Sequence, residues 1–81
     1  MYSVLSEEAK AAFLKSRETL KWGSYGKEGG QPRQDILVKD LSDLHIENIL
    51  TTQHHISGTY IEVVFLTEVE YRKIKGITVK D

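Results

Sequence analysis

The sequence predicts an α+β domain with an N-terminal helix, a glycine-rich β-hairpin, two C-terminal helices and, as an open alternative, a short terminal strand. A capped stretch with helical spacing opens the chain, a glycine-rich segment ending at the only proline follows, and two further capped apolar stretches complete it. The 81 residues suffice for a single small domain, 1–81, and are too few for two.

The first helix is predicted by Ser6 and the two acids that follow it, Glu7 and Glu8. A serine oxygen can accept hydrogen bonds from the free amide groups of a helix start, and carboxylates there oppose the positive end of the helix dipole. Spacings of three and four then place one stripe on a single face: Leu5, Ala9, Ala12, Phe13, Ser16 and Leu20. We predict a helix from about Ser6 to Arg17.

The segment KWGSYGKEGGQP, residues 21–32, predicts a hairpin loop. Its glycines widen the accessible backbone and Pro32 lacks an amide donor, so a helix is excluded here. We predict that LKWGSY pairs with RQDILVK, and that Gly29 and Gly30 supply a positive φ in the turn. On this interpretation the glycines are present because the backbone conformation of the hairpin requires them. A domain of this size also leaves little room for a ligand cavity of several hundred Å³.

A second helix is predicted from a cap at Ser42, with Asp40 as the alternative cap, to about Gln53. Apolar residues supply its buried side: Leu41, Leu44, Ile46, Ile49 and Leu50.

The last long segment, Tyr60 to Lys75, carries two competing signals. Its β-branched and aromatic residues alternate as in a strand, whereas a cap at Ser57, a helical stripe interrupted by Glu68, and Gly76 as terminator favour a helix. The final GITVKD resembles a short strand and equally fits a frayed tail.

Composition excludes several classes of protein. The chain has no cysteine, so disulfides, thiolate metal sites and cysteine nucleophiles are absent, which suits a reducing compartment. We expect a cytoplasmic location, because neither a secretory signal nor a stretch of transmembrane length is visible. The net charge is -1, distributed in a basic, an acidic and a second basic region. Complementarity between charged faces of the same molecule explains this pattern best.

The histidines do not predict a metal site. His54 and His55 are adjacent and point in different directions, and His45 lies a full nine residues away, near Asp43 and Glu47. A solvated helix end explains the adjacent pair, a structural hydrogen bond explains His45, and ordinary solvation explains the two carboxylates. We therefore predict no metal and no cofactor.

Catalysis is not expected either. Nucleotide-binding loops require a strand before the glycines and a helix directly after them, whereas Pro32 and a strand follow here. Besides Ser6, the predicted cap of the first helix, five serines each have a cap, turn or surface explanation: Ser3, Ser16, Ser24, Ser42 and Ser57. The sequence gives no reason to expect an enzyme.

The hairpin supplies the candidate contact residues Trp22, Tyr25, Lys27 and Arg33. Tryptophan, tyrosine and arginine are the residue types that anchor protein interfaces, so we predict binding of a host or viral protein. Trp22 fits equally well as a core residue beneath the hairpin. A small core also gains stability from association, which keeps a homo-oligomer open.

Nucleic-acid binding is the alternative function. In this hypothesis Trp22 and Tyr25 stack on bases while Lys21, Lys27 and Arg33 contact phosphates.

Several short motifs lie in order between Trp22 and Lys73: a Trp-Gly start, a glycine-rich segment ending in Gln-Pro, a Lys-Asp pair, a helix with a histidine that ends in Thr-Gln, and a last segment with tyrosine and arginine. In this pattern the chain resembles a group of small bacteriophage and prophage proteins. The resemblance implies a viral accessory protein without an assigned activity, and it favours a helix over Tyr60–Lys75. The matching positions are Trp22, Gly23, Gly26, Gly30, Gln31, Pro32, Lys39, Asp40, His45, Ile49, Leu50, Thr52, Gln53, Ile56, Ser57, Tyr60 and Arg72.

Overall fold

The computed structural model describes residues 2–25 and 30–80, and its elements follow the predicted order. A 3₁₀ turn at Tyr2–Val4 precedes helix α1, and further 3₁₀ turns at Val38–Asp40 and His54–Ile56 precede the two later helices. The regular elements are α1 (Glu7–Thr19), β1 (Lys21–Ser24), β2 (Gln34–Leu37), α2 (Asp43–Thr52) and α3 (Tyr60–Lys75). The α+β prediction is confirmed.

The hairpin forms as predicted, with β1 and β2 antiparallel and Trp22 opposite Ile36. The Val38 amide extends the pairing by donating to the Leu20 carbonyl at 3.0 Å. Of the two glycines expected to supply a positive φ, Gly30 does not have one, and Gly29 lies outside the described residues.

The segment with competing signals, Tyr60–Lys75, is helical throughout. Its β-branched residues are accommodated because the helix is covered on several sides, which buries Val64, Phe65 and Thr67. Gly76 ends the helix at φ 70°, a left-handed conformation that glycine adopts without a steric penalty.

Two details at the ends of α3 differ from the sequence prediction. The N-cap is Thr59 rather than Ser57, because Gly58, at φ 78°, turns the chain before the helix begins. Residues 77–80 form no strand: they cross to the start of α2, where the Asp43 amide donates to the Val79 carbonyl at 2.9 Å. The tail thus satisfies one of the free amides that every helix start presents.

One apolar core lies between the three helices and the hairpin. The core residue Phe13 and the adjoining Tyr2 and Tyr71 make mutual edge-to-face ring contacts, with centroids 5.0 to 5.7 Å apart. The buried apolar residues are Phe13, Val38, Leu41, Ile46, Ile49, Ile56, Val64 and Phe65.

The predicted cap of α2 is confirmed and gives a first testable prediction. The Ser42 hydroxyl accepts from the His45 amide at 3.0 Å and is nearly buried, whereas Ser6 makes the equivalent bond to Ala9 at an exposed position. We expect Ser42→Ala to lower the free energy of unfolding by about 1–2 kcal/mol, because water cannot readily replace the lost bond. Ser6→Ala, measured by the same denaturant titration, should cost less; an equal or larger loss would contradict this reasoning.

Candidate protein-interaction surfaces

Trp22 fastens the hairpin to the rest of the molecule. Its ring meets Phe65 edge-to-face at a centroid distance of 5.5 Å and stacks on His55 at 6.4 Å, with 20° between the ring planes. The side chain is half-buried and packs against the core. The hairpin is therefore held by an aromatic contact on its inner side, as the core alternative for Trp22 describes.

Tyr25 and Arg33 lie at the loop end of the hairpin, one after β1 and the other before β2. Tyr25 is 53% exposed and the Arg33 side chain 61% exposed. Arg33 Nε donates to Asp35 Oδ1 at 3.0 Å, which holds the guanidinium group across the strand. The structure thus brings two predicted contact residues together in solvent, while Lys27 lies outside the described residues.

Gly23 makes the position of Arg33 possible. A Cβ atom at Gly23 would lie 2.5 Å from Arg33 Nε, well inside contact distance, so a side chain there would displace the guanidinium group. Gly23 therefore allows the Arg33 guanidinium group to lie close to the backbone of β1, and it is not a turn residue. Sequence reasoning placed Gly23 in the strand segment LKWGSY but did not predict this close approach.

The histidines lie where the sequence places them. His54 and His55 form the 3₁₀ turn before α3, and His45 occupies the first turn of α2, where its amide meets the Ser42 cap. Within residues 2–25 and 30–80, no group of three histidine, aspartate or glutamate side chains is arranged to hold a metal ion.

A buried ion network, which the sequence analysis did not anticipate, joins α1 to α3. Glu68 is 0% exposed, and both of its carboxylate oxygens accept from Arg17, from Nε at 2.8 Å and from Nη2 at 3.0 Å. Arg72 Nε donates to the same carboxylate at 2.7 Å. The hydrogen bonds that Arg17 donates to Glu68 raise the pKa of Arg17 above its ordinary value, so the arginine stays charged.

Arg72 extends this network to α2 and to the turn before it. Its Nη1 donates to Asp43 Oδ1 at 2.7 Å, and its Nη2 donates to the Val38 carbonyl at 3.0 Å. Two guanidinium groups thus balance two carboxylates, and no buried side-chain nitrogen or oxygen of the described chain lacks a partner. The expectation that Asp43 is merely solvated is wrong, since its carboxylate holds Arg72.

A groove lies between α2 and the C-terminal half of α3, with a volume of about 710 Å³. Its floor is apolar, its rims carry Glu47 and Lys73, and the tail after Gly76 lines one end of it. The expectation that so small a domain has little room for a cavity of this size is therefore wrong. Four apolar residues line the groove, of which the first is buried and the other three are partly buried: Ile46, Leu50, Val69 and Ile77.

The hairpin end and the groove are separate surfaces, because none of the hairpin residues that the structure describes lines the groove. In the part of the chain that the structure describes, none of the helices combines the length and the apolar character needed to cross a bilayer. Comparison of the chain with models of protein families, with curated proteins and with solved structures gives no match.

Proposed function

We propose that this protein is a small accessory protein, of the kind phages encode, that acts by binding another protein through the loop end of its hairpin and catalyses no reaction. The observation that carries the proposal concerns the hairpin: its strands are held against the core, whereas the contact residues at its loop end are exposed. Trp22 is fixed on Phe65 and His55, whereas Tyr25 and Arg33 stand in solvent beyond it.

Anchoring matters because contact residues that become ordered only on binding contribute less to the binding free energy. Each immobilised side chain costs on the order of 0.5–1.5 kcal/mol on binding. The bond from Arg33 to Asp35 already restricts the guanidinium group, and Gly23 leaves space for it over the strand. Tyrosine and arginine are also enriched among the residues that dominate binding energy.

Two contacts argue against the nucleic-acid alternative. Trp22, which would have to stack on a base, is engaged by His55 and Phe65. Arg33, which would have to contact a phosphate, is paired with Asp35, and the nearby carboxylate weakens the attraction of its positive charge for a phosphate.

The experiment compares the wild-type chain with Tyr25→Ala/Arg33→Ala in affinity capture from host lysate, with and without nuclease. We expect a protein that survives nuclease treatment, binds the wild type and is reduced at least tenfold with the double variant. Lys15→Ala, which removes an exposed charge from α1, is the matched control and should bind like the wild type.

Direct titration with single-stranded and double-stranded oligonucleotides at moderate salt tests the alternative. Binding that falls on neutralising Lys27 and Arg33 would support nucleic-acid recognition and contradict the proposal. Captured proteins that bind the double variant as well as the wild type would also contradict it.

A further inference from the structure

The groove lies on a face with an exposed leucine on each side. Leu44 is 51% exposed on α2, three and seven residues before the rim residues Glu47 and Thr51, so it shares their side of the helix. Leu66 is 40% exposed on α3, three and seven residues before Val69 and Lys73, so it shares their side of that helix. The face therefore offers projecting apolar side chains beside an apolar hollow.

The two rims of this groove face carry opposite charges. Glu47 lies on the α2 rim and Lys73 on the α3 rim, both are exposed, and neither carries an ion pair within residues 2–25 and 30–80. Arg72, also at the groove, is nearly buried and fully engaged with Glu68, Asp43 and the Val38 carbonyl. The free charges are thus one acid on α2 and one base on α3.

This arrangement is self-complementary. Residues of α2 line one side of the groove, and residues of α3 and the tail after it line the other; the Asp43–Arg72 pair joins the two sides. A two-fold axis parallel to the groove would place α2 of one copy on α3 of the other. The rim that carries Glu47 in each copy would then lie against the rim that carries Lys73 in the other, twice in each dimer, and an axis across the groove would instead bring rims of like charge together.

We propose that the groove face binds a second copy of this chain, forming a two-fold symmetric dimer with the axis along the groove. Leu44 and Leu66 are then covered by the other copy, together with the partly exposed floor of the groove. Stable interfaces bury about 800 Å² of each partner, about one seventh of this chain's 5524 Å² surface. A broad side of a molecule measuring 40 × 26 × 21 Å offers that area.

The test uses charge reversal on the purified chain, with mass measured by sedimentation equilibrium at low salt. Wild type should dimerise, and Glu47→Lys and Lys73→Glu should each raise the dissociation constant about tenfold or more, because each reversal opposes like charges at two symmetric places. The double variant Glu47→Lys/Lys73→Glu should dimerise like the wild type. Glu18→Lys and Lys15→Glu, exposed reversals on α1, are the matched controls and should leave dimerisation unchanged.

Mixing the two single variants tests the symmetry itself. The Glu47→Lys copy carries a base on both rims and the Lys73→Glu copy an acid on both, so opposite charges meet at both places in a mixed dimer. The mixture should therefore form heterodimers although each variant alone is weakened. Circular dichroism on each variant verifies that it is folded. A monomeric wild type at about 100 μM, a dimer indifferent to both reversals, or a mixture that fails to associate would each overturn the proposal.

Discussion

Glu68→Ala is expected to lower the free energy of unfolding by about 3–5 kcal/mol, one of the two largest effects of any single substitution that the structure predicts. Removing this carboxylate leaves Arg17 without its bidentate partner and Arg72 with one charge partner fewer, both at sites with little access to water. Breaking a buried ion pair costs this much because an uncompensated charge remains in a poorly solvated place. Urea titration followed by circular dichroism measures the loss.

Two further variants separate the charge effect from a general effect of truncation. Glu18→Ala removes an exposed carboxylate that makes no ion pair within residues 2–25 and 30–80, and it should change stability by no more than about 0.5 kcal/mol. Replacing the three central charges together, as Arg17→Met/Glu68→Leu/Arg72→Met, should recover most of the loss, since apolar side chains of similar volume can substitute for a buried network. A cost below about 1 kcal/mol for Glu68→Ala would refute the central position of this network.

Phe65→Ala should cost about 3–5 kcal/mol, the typical loss when a fully buried phenylalanine is truncated to leave a cavity. Phe65 is 0% exposed, lies in the core cluster and supports the Trp22 ring at 5.5 Å. Tryptophan fluorescence reports the local consequence, because Trp22 is the only tryptophan. We expect its emission to shift to longer wavelength in the folded variant as water reaches the ring.

Phe65→Leu is the matched control, since it keeps most of the apolar volume and should cost less than about 1.5 kcal/mol. If Phe65→Ala loses no more stability than Phe65→Leu, or leaves the fluorescence of the folded state unchanged, then Phe65 does not anchor the hairpin in the way described.

Local signals were sufficient to predict the order of the elements. Ser6 and Ser42 cap α1 and α2 as expected, and the pairing of LKWGSY with RQDILVK follows from the glycines between them. The segment from Tyr60 to Lys75 was ambiguous because strand propensity and helical spacing coexisted there, and burial on several sides resolved it as a helix. Ser57 failed as a cap because the sequence does not reveal how Gly58 turns the chain.

The ion network and the groove depend on contacts between residues far apart in the chain, which a single sequence does not specify. Glu68 looked like an interruption of an apolar stripe, and its only local signal was Arg72 four residues later, one helical turn away. Its second partner, Arg17, lies on another helix. Likewise, nothing local to α2 or α3 indicates the angle between them, so the groove could not be predicted from either helix alone.

Tyr25 and Arg33, on a hairpin anchored by Trp22, are proposed to form the surface that meets a partner protein. The most direct measurement is the ¹H–¹⁵N spectrum of the labelled chain titrated with the protein captured from lysate. We expect the largest shifts at the loop ends of the two strands, residues 23–25 and 33–35, and on the Arg33 Nε–H signal. Shifts confined to the groove residues of α2 and α3, with the hairpin signals unchanged, would contradict this proposal.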